Sequence, residues 1–244
     1  MRSKTFQHWA TQKAAQYLSA ELQTQVILGG FRVDNFTLLH IDSIFIADQV
    51  ADTAFFINEF TVDLDRLDWN FDDKEKRINI KYAHLDGAVV DFRRYTDTGD
   101  WNYEFVINYF DPPRDSTDTL PGRPFLLNVK KLELSNSAFS YRNSNLAEVE
   151  PNKFNPDDFR FNQLNGTFNN FALVDDSLAF NTKNLTAYEK NGYLVENMQA
   201  DARIYSRGLE FYNMQIHRGK SILGHELKMN YASWDELEDF VNNI

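Results

Sequence analysis

The chain has 244 residues, a formal net charge of −11, and hydrophobic and aromatic shares of 43 % and 15 %. This length and apolar content predict a folded, β-rich protein and exclude general disorder. The acidic balance disfavours nucleic-acid binding, which depends on cationic neutralisation of phosphates. The absence of cysteine excludes disulfides, thiolate catalysis and cysteine-bound metals.

Residues 1–28 form the first predicted segment, an amphipathic helix followed by a short apolar run. Apolar residues recur at three- and four-residue spacing between residues 5 and 22, which is typical of one helix face. That predicted face consists of Phe6, Ala10, Ala14, Tyr17, Leu18 and Leu22. No run approaches the roughly 20 apolar residues of a membrane span. The abrupt helical start leads us to expect a missing upstream segment.

Residues 29–110 form the second segment, a first β-sheet section with a mostly two-residue apolar period. An alternating pattern of this kind is typical of antiparallel strands with one apolar and one polar face. Polar turns, among them Asp86-Gly87, are predicted to separate the strands. The predicted apolar positions are Phe56, Phe60, Val62 and Leu64, followed by Ile78, Ile80 and Tyr82.

The acids between Ile46 and Leu67 raise the question of an active site. Asp48 and Asp52 lie between two strand-like runs, where short acidic side chains bond to nearby backbone N–H groups. We therefore predict a turn at this point. Glu59 and Asp63 are predicted to mark the polar face of the second strand.

The rest of the chain is divided into a Pro-rich linker or loop, residues 111–124, and a second β-sheet section, residues 125–244. Within that section, Asn191-Gly192 predicts a hairpin turn. Ser233 and Glu236 fit a capping box, which predicts a short C-terminal helix. No β-α-β alternation is visible, so a parallel α/β fold is not expected.

No residue pattern indicates catalysis, a cofactor or a metal. The five histidines are scattered without metal-ligand spacing. A calcium loop starting at Asp68 would lack the glycine at position six and the glutamate at position twelve. No nucleophile or phosphate-binding motif occurs. We therefore expect a protein that is not an enzyme and has no cofactor.

Two architectures remain open at this point. The strands could form a closed β-sandwich that acts as a structural or docking module. Alternatively, they could form a long curved sheet whose partly uncovered apolar face binds apolar ligands. A glycan-binding or hydrolytic β-protein with aromatic stacking platforms is a third functional alternative, although Trp9, Trp69, Trp101 and Trp234 are widely spread.

Several segments, taken in order, resemble the TamB-like proteins of Bacteroidetes-type bacteria, within the AsmA-like group. Near the N-terminus the matching positions are Tyr17-Leu18-Ser19, Thr24, Val26, Asp48-Gln49 and Asp52-Thr53, with Ala51 replacing the usual glycine. Three later segments also fit, residues 132–143, 184–204 and 221–240. The resemblance covers nearly the whole chain, and it rests on the order and spacing of motifs that are individually weak.

The resemblance implies a mainly β fold in which an N-terminal amphipathic helix precedes an elongated, curved antiparallel sheet. Such a sheet forms a groove of the β-taco or chorein-like kind. The implied role is to guide phospholipid acyl chains, in support of outer-membrane lipid transport and protein assembly. The chain would be the membrane-proximal periplasmic part of a longer protein. That protein would be anchored in the inner membrane by an absent N-terminal helix and would contact an outer-membrane barrel through an absent C-terminal region. The candidates for the lipid groove are then Phe56, Phe60, Val62, Leu64, Ile78, Ile80 and Tyr82.

Overall fold

The computed structural model describes residues 4–34, 36–64, 68–71, 76–96, 99–110, 125–143, 155, 157–175 and 177–232. Two helices occur in these residues, α1 Lys4–Leu22 and α2 Glu104–Phe110. The strands of the first half are β1 Val26–Leu28, β2 Phe31–Asp34, β3 Leu38–Ile41, β4 Ile44–Ala47, β5 Thr53–Ile57, β6 Glu59–Asp63, β7 Asp68–Phe71, β8 Lys76–Asp86 and β9 Val89–Arg93. The strands of the second half are β10 Phe125–Arg142, β11 Asp158–Val174, β12 Ser177–Glu189, β13 Leu194–Tyr205, β14 Gly208–Arg218 and β15 Ser221–Asn230.

All of these strands belong to one long, curved, open sheet. Its main path is β1-β4-β5-β9-β10-β11-β12-β13-β14-β15, and a branch β2-β3-β6-β8 joins the same β10. The mainly β, curved-sheet expectation is therefore confirmed, and the closed sandwich is not the observed architecture. The two predicted β-sections are hydrogen-bonded to each other through β10.

The junction between the two halves of the sheet is parallel, unlike the other strand pairs. Residues 76–86 and 89–93 pair with β10 in one register, from Lys76 opposite Phe125 to Arg93 opposite Arg142. Asp86-Gly87 separates β8 from β9, as predicted, but it does not reverse the chain as a hairpin turn would. The chain continues in the same direction past Gly87, because both flanking strands pair with a single long partner.

At Gly87 the strands are bent, and we call this line across the sheet the crease. The register of β6 on β8 continues as that of β5 on β9, which puts Asn58 opposite Gly87. Gly87 has a φ of 60°, and a Cβ there would lie 2.9 Å from the Cβ of Asn58. Glycine meets both the left-handed conformation and the close approach.

The helix predicted over residues 5–22 is confirmed as α1, but much of its predicted apolar face is exposed. Phe6 is 44 % and Tyr17 59 % exposed, whereas Thr11 and Leu22 are buried. A second helix, α2, was missed by the prediction of strands up to residue 110. It begins with a capping arrangement in which the N–H of Trp101 donates to Glu104 Oε1 at 2.9 Å.

Two predicted turns are confirmed. Asp48 Oδ1 accepts hydrogen bonds from the N–H groups of Val50 at 3.0 Å and Asp52 at 2.8 Å, which closes the turn between β4 and β5. Asn191-Gly192 lies in the turn between the paired strands β12 and β13. The predicted linker 111–124, the C-terminal helix after residue 232 and parts of the calcium-like segment lie outside the described residues.

Candidate functional site

Rows of apolar side chains cross the second half of the sheet. Directly paired residues on neighbouring strands point to the same face, so a row can be followed through the strand registers. The longest row consists of Ile78, Leu127, Leu173, Leu178, Ile204, Leu209 and Met229. At a strand spacing of about 4.8 Å, its six steps span roughly 29 Å.

A second row lies on the same face, as the register of β12 shows. Leu178 and Thr182 are four residues apart in a stretch paired without interruption to β13, so both point to one face. Leu178 pairs with Leu173, and Thr182 pairs with Phe168. Leu173 and Phe168 therefore share that face although they are five positions apart. Two residues five positions apart can share a face only if the strand contains an extra residue, a β-bulge. In β11 this residue is Asn170, which lies between Phe168 and Leu173 and has a φ of 51°.

The same irregularity continues into the two neighbouring strands. The pairings of β10 omit Lys130 on both of its sides, and Lys81 is the omitted position opposite it in β8. We call the line through Lys81, Lys130 and Asn170 the bulge line. It shifts the apolar period by one residue in all three strands and thereby keeps apolar side chains on one side of the sheet.

We call that side the apolar face and the opposite side the polar face. Following the registers from Leu178 and Thr182 gives the membership of the apolar face. Its apolar members include Phe60, Val62, Ile78, Ile80, Ala83, Leu85, Leu127, Val129, Leu132, Leu134, Phe168, Phe171, Leu173, Leu178, Phe180, Ala200, Ala202, Ile204, Leu209, Phe211, Leu227 and Met229.

Four of the seven candidates, Phe60, Val62, Ile78 and Ile80, lie together on the apolar face. Phe60 pairs with Leu85 and Val62 with Ala83, and those two partners connect through β10 to the row of Phe168. Ile78 and Ile80 reach the same face on the other side of the bulge line. The structure therefore joins residues from two predicted strands, β6 and β8, into one surface.

Tyr82 lies on the polar face, because it precedes Ala83 in a regular part of β8. Its hydroxyl donates a hydrogen bond to Glu133 Oε2 at 2.6 Å, and Lys131 Nζ lies 5.7 Å from its ring centroid. Burial and the adjacent Glu133 carboxylate raise the pKa of Tyr82 to about 12. Tyr82 is therefore a neutral hydrogen-bond donor on the side opposite to Phe60.

Phe56 and Leu64, the remaining candidates, are not joined to the apolar face by the registers. Phe56 lies across the crease from Phe60 and lines a depression that also contains Asp91 and Arg93. Its neighbour Phe55 instead makes an edge-to-face contact with Phe92, with ring centroids 6.4 Å apart. Leu64 directly follows β6, and its N–H donates to the carbonyl of Thr37 at 2.5 Å.

An aromatic cluster occupies the sheet beyond the crease, beside α2. Phe92 and Phe139 are in edge-to-face contact at 5.3 Å, and Phe139 lies 5.9 Å from Phe159. The segment that leads into α2 covers this cluster, since Tyr103 lies 4.2 Å from Phe92 and Trp101 lies 4.7 Å from Tyr141. Leu134 and Phe139 are five positions apart around Asn136, whose φ is 50°. This five-residue spacing around a residue of positive φ is the same as that of the bulge at Asn170. Leu134 and Phe139 therefore share a face, and the aromatic cluster continues the apolar face.

Among the described residues, no second layer of large side chains seals the apolar face. Its smaller or central members are buried, with Val62 and Val129 at 5 % and Phe168 at 8 % exposure. Leu127, Leu173 and the other larger members are half-buried. Among the described residues, the one large side chain below 2 % exposure is Glu189. A core packed between two layers would bury many large apolar side chains to that extent.

The polar face carries a ladder of side-chain amides along the continuation of the bulge line. The amide of Asn170 donates to Asn181 at 3.0 Å, and the amide of Asn181 donates to Asp201 Oδ1 at 2.7 Å. Asn213, with a φ of 49°, donates to Asp201 Oδ2 at 2.7 Å. These two donors, Asn213 first and then Asn181, lower the pKa of the Asp201 carboxyl.

Sequence reasoning missed most of the apolar face and all of the bulge line. One signal was available: apolar residues lie three positions apart from Ile80 to Ala83 and from Val129 to Leu132. Such a step breaks the two-residue period and marks a bulge when it recurs in neighbouring strands. The pairing of those strands, however, is visible only in the structure.

The described residues contain no group of three or more His, Cys, Asp or Glu side chains placed to hold a metal ion. Within the same residues, no helix is both long and apolar enough to cross a membrane. No protein-family model matches the chain, and no curated protein sequence matches it either.

Proposed function

We propose that the apolar face carries phospholipid acyl chains across the sheet, while the headgroups stay in water at its rim. The observation that carries this proposal is the row from Ile78 to Met229, which spans roughly 29 Å and which no second layer of the described residues covers. Large exposed apolar surfaces mark binding sites in soluble proteins. A continuous apolar surface of this length fits an extended hydrocarbon chain.

The energetics of such a surface favour many weak contacts over a specific pocket. Each methylene removed from water contributes about 0.8 kcal/mol, so a dozen methylenes lying on the face contribute several kcal/mol after the ordering cost of the chain. Because the apolar rows repeat from strand to strand, one position on the face resembles the next. A lipid could therefore move along the rows without crossing a polar barrier.

The wider setting of this role rests on the sequence resemblance. We propose that the chain is the membrane-proximal, periplasmic part of a TamB/AsmA-like envelope protein. Such a protein is held in the inner membrane by a preceding anchor and meets an outer-membrane barrel through a region that follows. In this setting the face supports lipid transport to the outer membrane and protein assembly there, without enzymatic activity.

Site-specific photo-crosslinking tests the proposal, and β14 offers a matched pair of positions. Phe211 lies on the apolar face and the adjacent Tyr212 on the polar face. Each is replaced by the photoreactive p-benzoylphenylalanine, which changes an aromatic residue into a slightly larger one. With phosphatidylglycerol vesicles containing a tritiated acyl chain, we expect labelled adducts from position 211 and few from position 212. Equal labelling at both positions would contradict the assignment.

Native mass spectrometry of the purified protein provides an independent test. We expect adducts with the masses of one or more phospholipids. Replacing Leu173 and Phe180 with serine should reduce them, because both side chains lie in the middle of the apolar face. A lipid-free protein whose apolar face is protected from solvent by a neighbouring chain would refute acyl-chain transport.

A docking role is the second candidate, and the edge strand β15 favours it. Ile222 and Leu223 are 63 % and 64 % exposed on this strand, which ends the sheet. An exposed apolar edge is a template for another strand. We expect Ile222→Lys to abolish concentration-dependent self-association in light scattering if this edge docks other β-strands. The same variant should leave lipid adducts unchanged, because Ile222 pairs with His217 and points away from the apolar face.

A further inference from the structure

The bulge line places two consecutive side chains of each strand on the polar face. Ile80 and Ala83 both belong to the apolar face, so both residues between them, Lys81 and Tyr82, point to the opposite side. The same reasoning applied to the next two strands adds the pairs Lys130–Lys131 and Asn169–Asn170.

These pairs line one depression on the polar face. Its volume is about 570 Å³, and its lining consists of Asp63, Lys81, Tyr82, Lys130, Lys131, Asn169 and Asn170. Three ammonium groups thus meet on adjacent strands of a chain whose net charge is −11. Lys81 occupies the register position beside Lys130, between the pairs Ile80–Val129 and Tyr82–Lys131. Like charges at neighbouring cross-strand positions destabilise a sheet.

The carboxylates near the depression compensate these charges only in part. Lys131 is paired with Glu133 at 2.7 Å, whereas Lys81 is 4.0 Å from Asp63. Among the described residues, Lys130 and Asn169 make neither a side-chain hydrogen bond nor an ion pair. The depression therefore contains two side chains with unused hydrogen-bond donors, the Lys130 ammonium group and the Asn169 amide. Next to them lies the ammonium group of Lys81, which is 4.0 Å from its carboxylate partner.

We propose that this depression binds a phosphate-class anion, held by Lys81, Lys130 and the Asn169 amide. Donors on three adjacent strands approach from different directions, which suits the tetrahedral oxygens of a phosphate ester or free phosphate. The bound anion relieves the repulsion between the two lysines. The site lies on the side of the sheet opposite to the apolar face and is independent of acyl-chain binding.

Titration with inorganic phosphate at constant ionic strength, followed by ¹⁵N NMR, tests the site. We expect the side-chain amide resonance of Asn169 to shift in a saturable way, while Lys130→Gln weakens binding about fivefold, the effect of removing one exposed ion pair. Lys220→Gln is the matched control, because Lys220 is exposed in the turn between β14 and β15. Thermal melting confirms that both variants are folded.

Vesicles distinguish the sources of the anion. If phosphatidylglycerol vesicles, but not phosphatidylcholine vesicles or free phosphate, give Lys130-dependent binding, the ligand is a lipid headgroup and the site stands. If free phosphate binds and Lys130→Gln weakens it, the ligand is a soluble phosphate and the site also stands. Equal effects of Lys130→Gln and Lys220→Gln, or no saturable shift with either ligand, would overturn the proposal.

Discussion

The Asp201 carboxylate is the centre of the amide ladder, and Asp201→Asn tests what the ladder contributes to stability. The substitution keeps the shape but replaces one acceptor oxygen with an NH₂ group, which then faces the amide of Asn181 or Asn213. In the wild-type protein, each of these two amides donates to a separate carboxylate oxygen of Asp201 at 2.7 Å. Hydrogen bonds to charged groups contribute about 1.5–3 kcal/mol when buried, and the half-exposed position reduces this. We expect a loss of about 2 kcal/mol in the free energy of unfolding at pH 7.

The loss should depend on pH in one direction. The pKa of Asp201 is lowered in the folded state, so the charged carboxylate adds stability above the unfolded pKa of about 3.9. That stability is lost as the pH falls through the lowered folded pKa. Urea unfolding at pH 7, 5 and 3 should therefore show a constant difference between wild type and variant at the two higher values and a smaller one at pH 3. The exposed Glu226→Gln is the control. A difference below 0.5 kcal/mol at pH 7, or one that does not change with pH, would refute the reasoning.

Three further predictions concern the sheet itself. Phe168→Ala should lower the free energy of unfolding by about 3 kcal/mol, because Phe168 is 8 % exposed and in edge-to-face contact with Phe180 at 5.1 Å. The control Val174→Ala, at a position that is 39 % exposed, should lower it by less than about 1 kcal/mol. Equal losses for the two variants would contradict the burial of Phe168 on the apolar face. Gly87→Ala should lower the free energy of unfolding more than Gly219→Ala, since both glycines have positive φ but only a Cβ at Gly87 would have a neighbour within 4 Å. The backbone strain alone costs about 1 kcal/mol at either position. Equal losses in chemical denaturation would show that the contact at the crease does not contribute. Glu189→Gln should raise the free energy of unfolding by about 1 kcal/mol, because the charged side chain is fully buried and its Oε1 has no hydrogen-bond partner, while Oε2 accepts from the N–H of Asn191 at 2.7 Å. Exposed Glu196→Gln should change nothing. A destabilised Glu189→Gln would contradict the prediction, because it would mean that the bond from Asn191 to the charged oxygen outweighs the cost of the buried charge.

The sequence predicts the strands well, because the two-residue period depends on neighbouring residues alone. It also predicts the Asp48 turn and the Asn191-Gly192 turn, where local side-chain chemistry determines the backbone. The sequence analysis placed Phe56 and Phe60 in one apolar surface, but the structure separates them, since the crease at Asn58 lies between them. Counting every second residue fails wherever an extra residue enters a strand.

The parallel junction could not be predicted for a different reason. The antiparallel strands from β10 to β15 pair with their neighbours in the chain, but Arg93 and Arg142 pair across a long intervening segment. Nothing in the local sequence of β8 or β10 indicates which strand will be its neighbour. Tyr82 shows the same limit on a smaller scale, because its side of the sheet depends on how Lys81 and Lys130 are accommodated across two strands.

The parallel junction also has a consequence for the order in which the sheet forms. From β10 to β15 each strand pairs with the next in the chain, and from β11 onward the connections are only two to four residues long. These hairpins therefore close at low entropic cost. The other side of β10 can be filled only after the chain between residues 93 and 125 has been brought back on itself. We therefore expect the hairpin series to assemble first and to present β10 as a finished edge. The first half of the chain then docks onto that edge as the slower step.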